Sequence, residues 1–282
     1  MYSESMIKPL LLVSTFILPL SAQQAAPAQN AAPPAQQSRR LEFTPVARQS
    51  VETRLRQAGA GERAATLKSI FEQAGCKGDQ LKSEEVKKFG SNVVCVLKGD
   101  TDSVIVAGAH FDGKGVVDNW TGASLLPSLF ESLSKTQHKH TFVFVGFTGK
   151  GNGLEGAQAY VKGLSNEERG RIKAELNLDS LGLSQTKVWA EGSDKKLTAI
   201  LAAVGNALKT PVMAAPAPEN GDDSRAFAKE KIATLCVHSV TPDTQKLLQS
   251  SQDNVEAVHM DEYYETYRLL CAYMAYLDGA IE

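Results

Sequence analysis

Length and charge exclude several classes of function. The chain has 282 residues, 43% of them hydrophobic, and a formal net charge of −2. This length suits one large α/β domain, and so balanced a charge leaves no basic stripe for nucleic acid or for an anionic membrane. We therefore expect a small-molecule, peptide or protein ligand, and no nucleic acid partner.

The N-terminal segment is predicted to be a signal peptide, residues 1–22. Lys8 precedes the apolar run "PLLLVSTFILPLSA", which is short for a bilayer span and ends in small residues at Ala22. Residues 23–40 are rich in Ala, Gln and Pro, so we expect a disordered tether before a folded domain at 41–282. The sequence thus predicts a secreted or periplasmic protein with no membrane span after signal removal.

Hydrophobic periodicity then predicts helices and strands that alternate along the chain. The helix "ERAATLKSIFEQAG" is followed by the strands "SNVVCVLKG" and "DSVIVAGAHF", by a helix that contains Pro127, and by "HTFVFVGF", whose two apolar faces indicate a central strand. Two helices and the strands "AELNLD" and "KVWAE" come next, and "KIATLCVHS" lies between the helices "DKKLTAILAAVGNALK" and "DEYYETYRLLCAYMAYLD". Such alternation is typical of an α/β fold with a central, mostly parallel mixed sheet and helices on both faces.

The four cysteines make disulfides plausible in an exported chain. Cys76 follows a predicted helix and Cys95 lies in a predicted strand, and a bridge between them would close a loop of about 20 residues, worth roughly 3 kcal/mol. Cys236 and Cys271 have two open interpretations, a second pair or two buried thiols.

Side chains that bind metals end the predicted strands. His110 and Asp112 close "VIVAGAHFD", Asp118 precedes a helix, and Asp179 closes "AELNLD". Because ligand sites of such sheets lie beyond the carboxyl ends of the strands, we expect these residues to converge. One imidazole and two carboxylates suit zinc, so His110, Asp118 and Asp179 are the predicted ligands. Asp112 is expected to accept the other ring N–H of His110 and so to orient it.

Five blocks, in order, resemble metallopeptidase family 28, the secreted di-zinc aminopeptidases and their relatives. They are "VIVAGAHFD" with the helix after it, "FVFVGFTGKGNGLEGAQAYV", "LNLDSLG", "DDSRAFAKEKIATLCVHS" and "QSSQDNVEAVHMDEYYETYRLLCAYMAYLD". The resemblance implies a zinc-exopeptidase fold and a two-zinc site in which Asp118 bridges the metals. Asp222, Asp223 and Ser224 resemble the substrate-side loop of the family and are predicted to contact a ligand.

The resemblance fails at three positions. The family has two consecutive glutamates after the "FVFVGF" strand, one a general base and one a ligand of the second zinc, and here they correspond to Lys150 and Gly151. The last histidine ligand of the family corresponds to Gln249. The resemblance therefore implies a degenerate member that holds one zinc ion or none.

Three further residues have open interpretations. Lys150 is expected either to lie near the vacated second site and partly neutralise Asp118 and Asp179, or to be solvated on a mobile glycine loop. Glu155 is a substitute base or a carboxylate in the first turn of a helix. His238 is a substitute zinc ligand or a structural histidine. His138, His140 and His259 fall on segments that resemble surface and receive no role.

The leading hypothesis is a secreted zinc-aminopeptidase-like domain that is catalytically impaired or inactive and binds a peptide-like ligand or a protein partner. The alternative is an active mono-zinc exopeptidase that releases N-terminal residues with a relocated general base. The discriminating residues are Lys150, Gly151 and Gln249, because an active enzyme needs substitutes for all three lost groups.

Overall fold

The computed structural model describes residues 43–59, 61–216, 222–248 and 250–282. The predicted signal peptide and tether lie outside these ranges. The α-helices within them are α1 (Arg48–Leu55), α2 (Arg63–Gln73), α3 (Val117–Leu133), α4 (Glu155–Gly163), α5 (Asn166–Arg171), α6 (Lys195–Leu208), α7 (Ser224–Lys229) and α8 (Met260–Ala280). The strands are β1 (Leu81–Val86), β2 (Gly90–Leu97), β3 (Val104–His110), β4 (Thr141–Phe147), β5 (Ile172–Leu178), β6 (Lys187–Trp189), β7 (Met213–Ala215) and β8 (Thr234–His238).

These strands form one mixed sheet in the order β1-β2-β4-β3-β5-β8-β6-β7. The centre of the sheet is parallel, since β3 pairs with β4 and β5, and β5 pairs with β8. Antiparallel pairs join β1 to β2, β2 to β4, and β6 to β8. The predicted mostly parallel mixed sheet is confirmed.

Side chains alternate across the sheet and fill two cores. On β3, Ile105 and Ala107 belong to the larger core, which packs α1, α2, α3, α6 and α8, whereas Val106 belongs to a smaller core with α4 and α7. This alternation follows from the period of two in a strand. The prediction of helices on both faces is also confirmed.

Helix α3 lies unusually close to β5, and this approach positions the site. A Cβ added at Gly122 would lie 2.0 Å from the carbonyl oxygen of Leu178. The helix is buried along almost its entire length and continues through Pro127 to Leu133. The approach brings its first turn, with Asp118, towards the end of β5, after which Asp179 follows.

Several elements are absent from the sequence prediction. Strand β1, "LKSEEV", is exposed at its four central residues, because it is an edge strand and carries no apolar alternation. Helix α1 and the three-residue β7 were also missed.

The surface interpretation of His138 and His140 is wrong, since both are buried. Asp278 of α8 accepts hydrogen bonds from the main-chain N–H groups of Lys139 at 3.0 Å and His140 at 2.8 Å. Asp278 lies 138 residues from His140 in sequence, so local polarity does not reveal this packing.

The cysteines divide into one bridge and two thiols. Cys76, after α2, and Cys95, in β2, form a disulfide, as predicted. Cys236 and Cys271 are buried and free, so of their two interpretations the one with two buried thiols holds. In the described ranges, no helix combines the length and apolarity required to cross a membrane.

Candidate metal centre

Three predicted ligands meet at the carboxyl edge of the sheet. His110 ends β3, Asp118 lies in the first turn of α3, and Asp179 follows β5. Each offers one ligand atom, and these atoms lie within 4.8 Å of one another. All three residues are buried, so the group is shielded from bulk water. Ser180, directly after Asp179, has a φ of 48°, a left-handed conformation that non-glycine residues rarely adopt and that marks a sharp turn at the site.

The imidazole of His110 is held by Asp223, whereas the sequence analysis predicted Asp112 for this role. His110 Nδ1 lies 2.9 Å from Asp223 Oδ2, and Asp223 is fully buried at the start of α7. The expectation that Asp112 orients this ring is wrong. Asp223 is 113 residues away in sequence and reaches the ring because β8 and α7 pack beside β5.

The second ring nitrogen of His110 has two neighbours of opposite kind. Nε2 lies 2.7 Å from Lys150 Nζ and 2.6 Å from the main-chain oxygen of Asp118. In the neutral ring, Nδ1–H donates to the Asp223 carboxylate and Nε2 accepts from Lys150 Nζ; in the protonated ring, Nε2–H donates to the main-chain oxygen of Asp118. Burial and the Lys150 ammonium lower the pKa of His110, but Asp179 and Asp223 raise this pKa by more.

Asp112 holds the loop after β4. Its Oδ2 accepts from the main-chain N–H of Gly149 at 2.8 Å, and its Oδ1 accepts from that of Lys150 at 3.1 Å. Gly149 has a φ of +73°, a left-handed conformation that favours glycine. The glycine and the carboxylate together fix the direction in which the Lys150 side chain leaves the main chain.

Lys150 points into the centre. Its Nζ donates to Asp118 Oδ1 at 2.6 Å, and only 7% of the residue is exposed. Burial opposes the charge, but Asp179, Asp118 and the hydrogen bond to Asp118 outweigh it and raise the pKa of Lys150 above its ordinary value. The geometry matches the interpretation in which Lys150 neutralises buried carboxylates, rather than the one in which it is solvated. The ammonium contacts both His110 and Asp118. Gly151, in contrast, is exposed.

Asp222, Asp223 and Ser224 are all buried. Asp222 Oδ1 accepts hydrogen bonds from the main-chain N–H of Ser224 at 2.9 Å and from its hydroxyl. Burial raises the pKa of Asp222 to about 6, and Asp179 and Asp223 add to this effect. Their predicted contact with a ligand stays a prediction; in the structure, Asp223 supports His110.

Several buried carboxylate oxygens at this edge and in the adjoining part of β5 lack hydrogen-bond partners within the part of the chain that the structure describes. They are Asp179 Oδ2, Asp222 Oδ2, Asp223 Oδ1 and both oxygens of Glu175. Burial raises the pKa of Glu175 well above its ordinary value, and Asp222 and Asp223 add to the effect. The edge is therefore rich in acceptors and short of donors.

The two proposed substitutes lie outside the group of three. Glu155 is the first residue of α4 and is partly exposed. His238 ends β8 and is buried; its Nδ1 accepts from the main-chain N–H of Val240 at 3.2 Å, while Nε2 has no partner among the described residues. Burial lowers the pKa of His238 to about 4. Gln249 lies outside the described residues.

Two positioning residues were missed by the sequence analysis. Asp253 Oδ1 accepts from the main-chain N–H of Val117 at 2.6 Å and so caps α3. The signal was present, because Asp253 is the aspartate of the "QSSQD" block.

Arg63 ties down the loop between β3 and α3. Its guanidinium donates to the main-chain oxygens of Phe111 at 3.0 Å, Asn119 at 3.3 Å and Gly115 at 3.0 Å. Because Arg63 donates to main-chain carbonyl oxygens, which every residue carries, no sequence motif predicts these contacts.

The fold and the site define an α/β protein with a buried His/Asp/Asp group beyond the ends of its parallel strands. The model of Peptidase family M28 matches residues 92–274, and the chain belongs to this family. The match runs from β2 into α8 and includes every residue of the group.

Similar proteins agree with this assignment. An aminopeptidase of Pseudomonas aeruginosa is 33% identical over 96 residues, which cover 32% of this chain and 18% of that protein. Leucine aminopeptidase 2 of Trichophyton rubrum is 32% identical over 96 residues, which cover 32% of this chain and 19% of that protein. The matching segment thus spans less than a fifth of these relatives.

Solved structures share the fold. The LapA aminopeptidase of Legionella pneumophila superposes with a TM-score of 0.74 at 21% identity, covering 84% of this chain and 73% of that one. A glutaminyl cyclase from an Acidobacteriales bacterium superposes with a TM-score of 0.70 at 17% identity, covering 91% of this chain and 99% of that one. BSAP, a zinc aminopeptidase from Bacillus subtilis, superposes with a TM-score of 0.62 at 19% identity, covering 68% of this chain and 50% of that one.

The donor set suits zinc in chemical type. One imidazole and two carboxylates are common zinc ligands, and the unpartnered Asp179 Oδ2 leaves a lone pair for a cation. Together with the zinc aminopeptidase neighbours, this group suggests zinc binding. The Lys150 ammonium, however, already lies at hydrogen-bond distance from two of the three residues.

Proposed function

We propose that this chain is a secreted, non-hydrolysing member of the family that binds a peptide-like ligand or a protein partner. One observation carries the proposal. The position that the family resemblance gives to the general base is Lys150, and its ammonium is buried and bonded to Asp118.

An ammonium in this setting cannot take a proton from water. Its pKa is raised by Asp179 and Asp118 against the effect of burial, so the group stays protonated at neutral pH. General-base assistance is worth about 10²–10⁴-fold in rate, and its loss alone would make peptide hydrolysis slow. Burial lowers the pKa of His238 to about 4, which makes it a weak base, and Glu155 is partly exposed in the first turn of α4; both observations argue against a rebuilt base.

The acceptor-rich edge supports binding of a cationic peptide end. Asp179 Oδ2, Asp222 Oδ2 and Asp223 Oδ1 lack hydrogen-bond partners in the described ranges, and buried acceptors of this kind are costly unless a donor reaches them. The α-ammonium of a peptide supplies three such donors. The ligand we propose is therefore a peptide with a free N-terminus.

The proposed location follows from two features. The disulfide between Cys76 and Cys95 is compatible with an oxidising, extracellular environment. The predicted signal peptide supports export.

The proposal is tested by activity and binding measured on the same purified protein. We expect no release of N-terminal residues from alanyl tripeptides, with or without added zinc. In calorimetry, we expect binding of trialanine that is at least about tenfold tighter than that of its N-acetylated form.

A restored variant shows whether the scaffold still supports chemistry. It carries Lys150→Glu, Gly151→Glu and Gln249→His. A side chain fits at Gly151, because an added Cβ meets no atom within 4 Å. We expect zinc-dependent turnover in this variant and none in the exposed-lysine control Lys162→Glu. Zinc-dependent turnover by the natural protein, abolished by Asp118→Ala, would instead support the alternative of an active mono-zinc enzyme.

A further inference from the structure

Lys150 occupies the position that a metal ion would need. Its Nζ lies 2.7 Å from His110 Nε2 and 2.6 Å from Asp118 Oδ1, two members of the group whose ligand atoms converge. Zinc lies about 2.0–2.2 Å from nitrogen and oxygen ligands, so an ion bound by these two atoms would share its space with the ammonium.

The ammonium also supplies the charge that the metal would bring. Asp118 and Asp179 are buried carboxylates, and a buried charge is stable only when it is paired. Lys150 is the cation that donates directly to Asp118, in a pair whose two side chains are 5% and 2% exposed.

The surrounding main chain is organised to keep the lysine in place. The Asp112 carboxylate accepts from the N–H groups of both Gly149 and Lys150. On either side of the loop, the Thr148 hydroxyl donates to the Phe89 carbonyl oxygen at 2.6 Å, and the Gly156 N–H donates to the Thr148 carbonyl oxygen at 2.9 Å. These contacts are independent of the Lys150 side chain, and a loop free to swing away would lack them.

We propose that Lys150 is the resident cation of this centre and that the protein does not hold zinc at His110, Asp118 and Asp179. The centre is thus a metal site converted into an internal ion-pair network. This inference goes beyond the proposed function, because a chain that held one zinc ion without cleaving peptides would satisfy that function and contradict the inference.

The test compares zinc content and zinc-dependent thermal stability. The natural protein, Lys150→Ala and the matched exposed control Lys162→Ala are each dialysed against zinc and measured by elemental analysis. The melting temperature of each is then followed in a zinc titration.

We expect the natural protein and the Lys162→Ala control to contain no stoichiometric zinc and to show no zinc-dependent rise in melting temperature. Lys150→Ala is expected to bind about one zinc ion per chain, at least about 100-fold more tightly than the natural protein. Adding Asp118→Asn to Lys150→Ala should abolish this binding.

Two results would overturn the inference. One is a natural protein that holds about one zinc ion and loses it on Asp118→Asn, a measurement that does not depend on the folding of Lys150→Ala. The other is a folded Lys150→Ala protein that stays free of zinc, since Lys150 would then not be what excludes the metal.

Discussion

Asp253 Oδ1 accepts a hydrogen bond from the main-chain N–H of Val117 at 2.6 Å, across 136 residues of sequence. Val117 is the first residue of α3, and Asp118 follows it. The carboxylate satisfies an N–H group that a helix leaves unpaired, and its charge complements the helix dipole. Asp253 therefore positions the helix turn that presents Asp118.

Removal of this cap should destabilise the protein. We expect Asp253→Ala to lower the free energy of unfolding by about 1–2 kcal/mol, and Asp253→Asn, which keeps an acceptor, to lower it by less. Urea denaturation measures both. The exposed Asp243→Ala serves as the control and should change stability by less than about 0.5 kcal/mol. Equal losses at the two positions would show that the cap does not stabilise the helix.

The close approach of α3 to β5 predicts a sharp difference between two glycines. A Cβ at Gly122 would lie 2.0 Å from the Leu178 carbonyl oxygen, so we expect Gly122→Ala to cost at least about 2 kcal/mol. Gly170 in α5 has no atom within 4 Å of an added Cβ. Gly170→Ala should therefore be neutral or stabilising by up to about 1 kcal/mol. Thermal unfolding of both variants measures the difference, and a stable Gly122→Ala protein would contradict the predicted clash.

His238 should make stability fall in mild acid. Burial lowers its pKa from 6.5 to about 4 in the folded protein, against an opposing effect of Asp179. Between these values the unfolded chain binds a proton that the folded chain does not, so stability is complete above pH 6.5 and is lost as the pH falls towards 4. At about 1.4 kcal/mol per pH unit, the loss is bounded at about 3 kcal/mol.

Urea unfolding from pH 7 to pH 4 measures this effect. Comparison with His238→Asn, whose amide oxygen can still accept from Val240, isolates the histidine. Asp222 contributes with the opposite sign in both proteins, because burial raises its pKa to about 6. Parallel pH profiles for the two proteins would exclude the predicted role of His238.

Thiol counting should distinguish the two kinds of cysteine. Burial raises the pKa of Cys271 to about 12 and that of Cys236 well above its ordinary value, and both side chains are inaccessible. We expect no reaction of the native protein with Ellman's reagent, because the thiolate is the reactive form. Two thiols should appear on denaturation and four after reduction, in agreement with one bridge and two free cysteines. Four thiols without reduction would contradict the Cys76–Cys95 disulfide.

The extent to which the sequence predicted the fold depends on how local each signal is. The central strands β3 and β4 are nearly continuous apolar runs, and β5 alternates apolar and polar residues, so the local sequence identifies all three without any partner. β1 is an exposed edge strand that pairs with β2, and its sequence has neither an apolar run nor an apolar alternation that would predict a strand. The burial of His138 and His140 likewise depends on α8, far along the chain.

The centre shows the same division. The sequence by itself determined which chemical groups are present: a histidine and an aspartate at strand ends, an aspartate at a helix start, and a lysine where the family resemblance calls for a glutamate. Residue identity and strand-end position are local properties, so they can be read before folding.

Only the tertiary structure decided how these groups pair. Whether Asp112 or Asp223 holds His110, and whether the Lys150 ammonium reaches Asp118, depends on the packing of β8 and α7 beside β5 and on the left-handed turn at Gly149. Hydrogen bonds form only within about 3 Å, so their partners are set by the three-dimensional arrangement of distant segments rather than by their order in the chain.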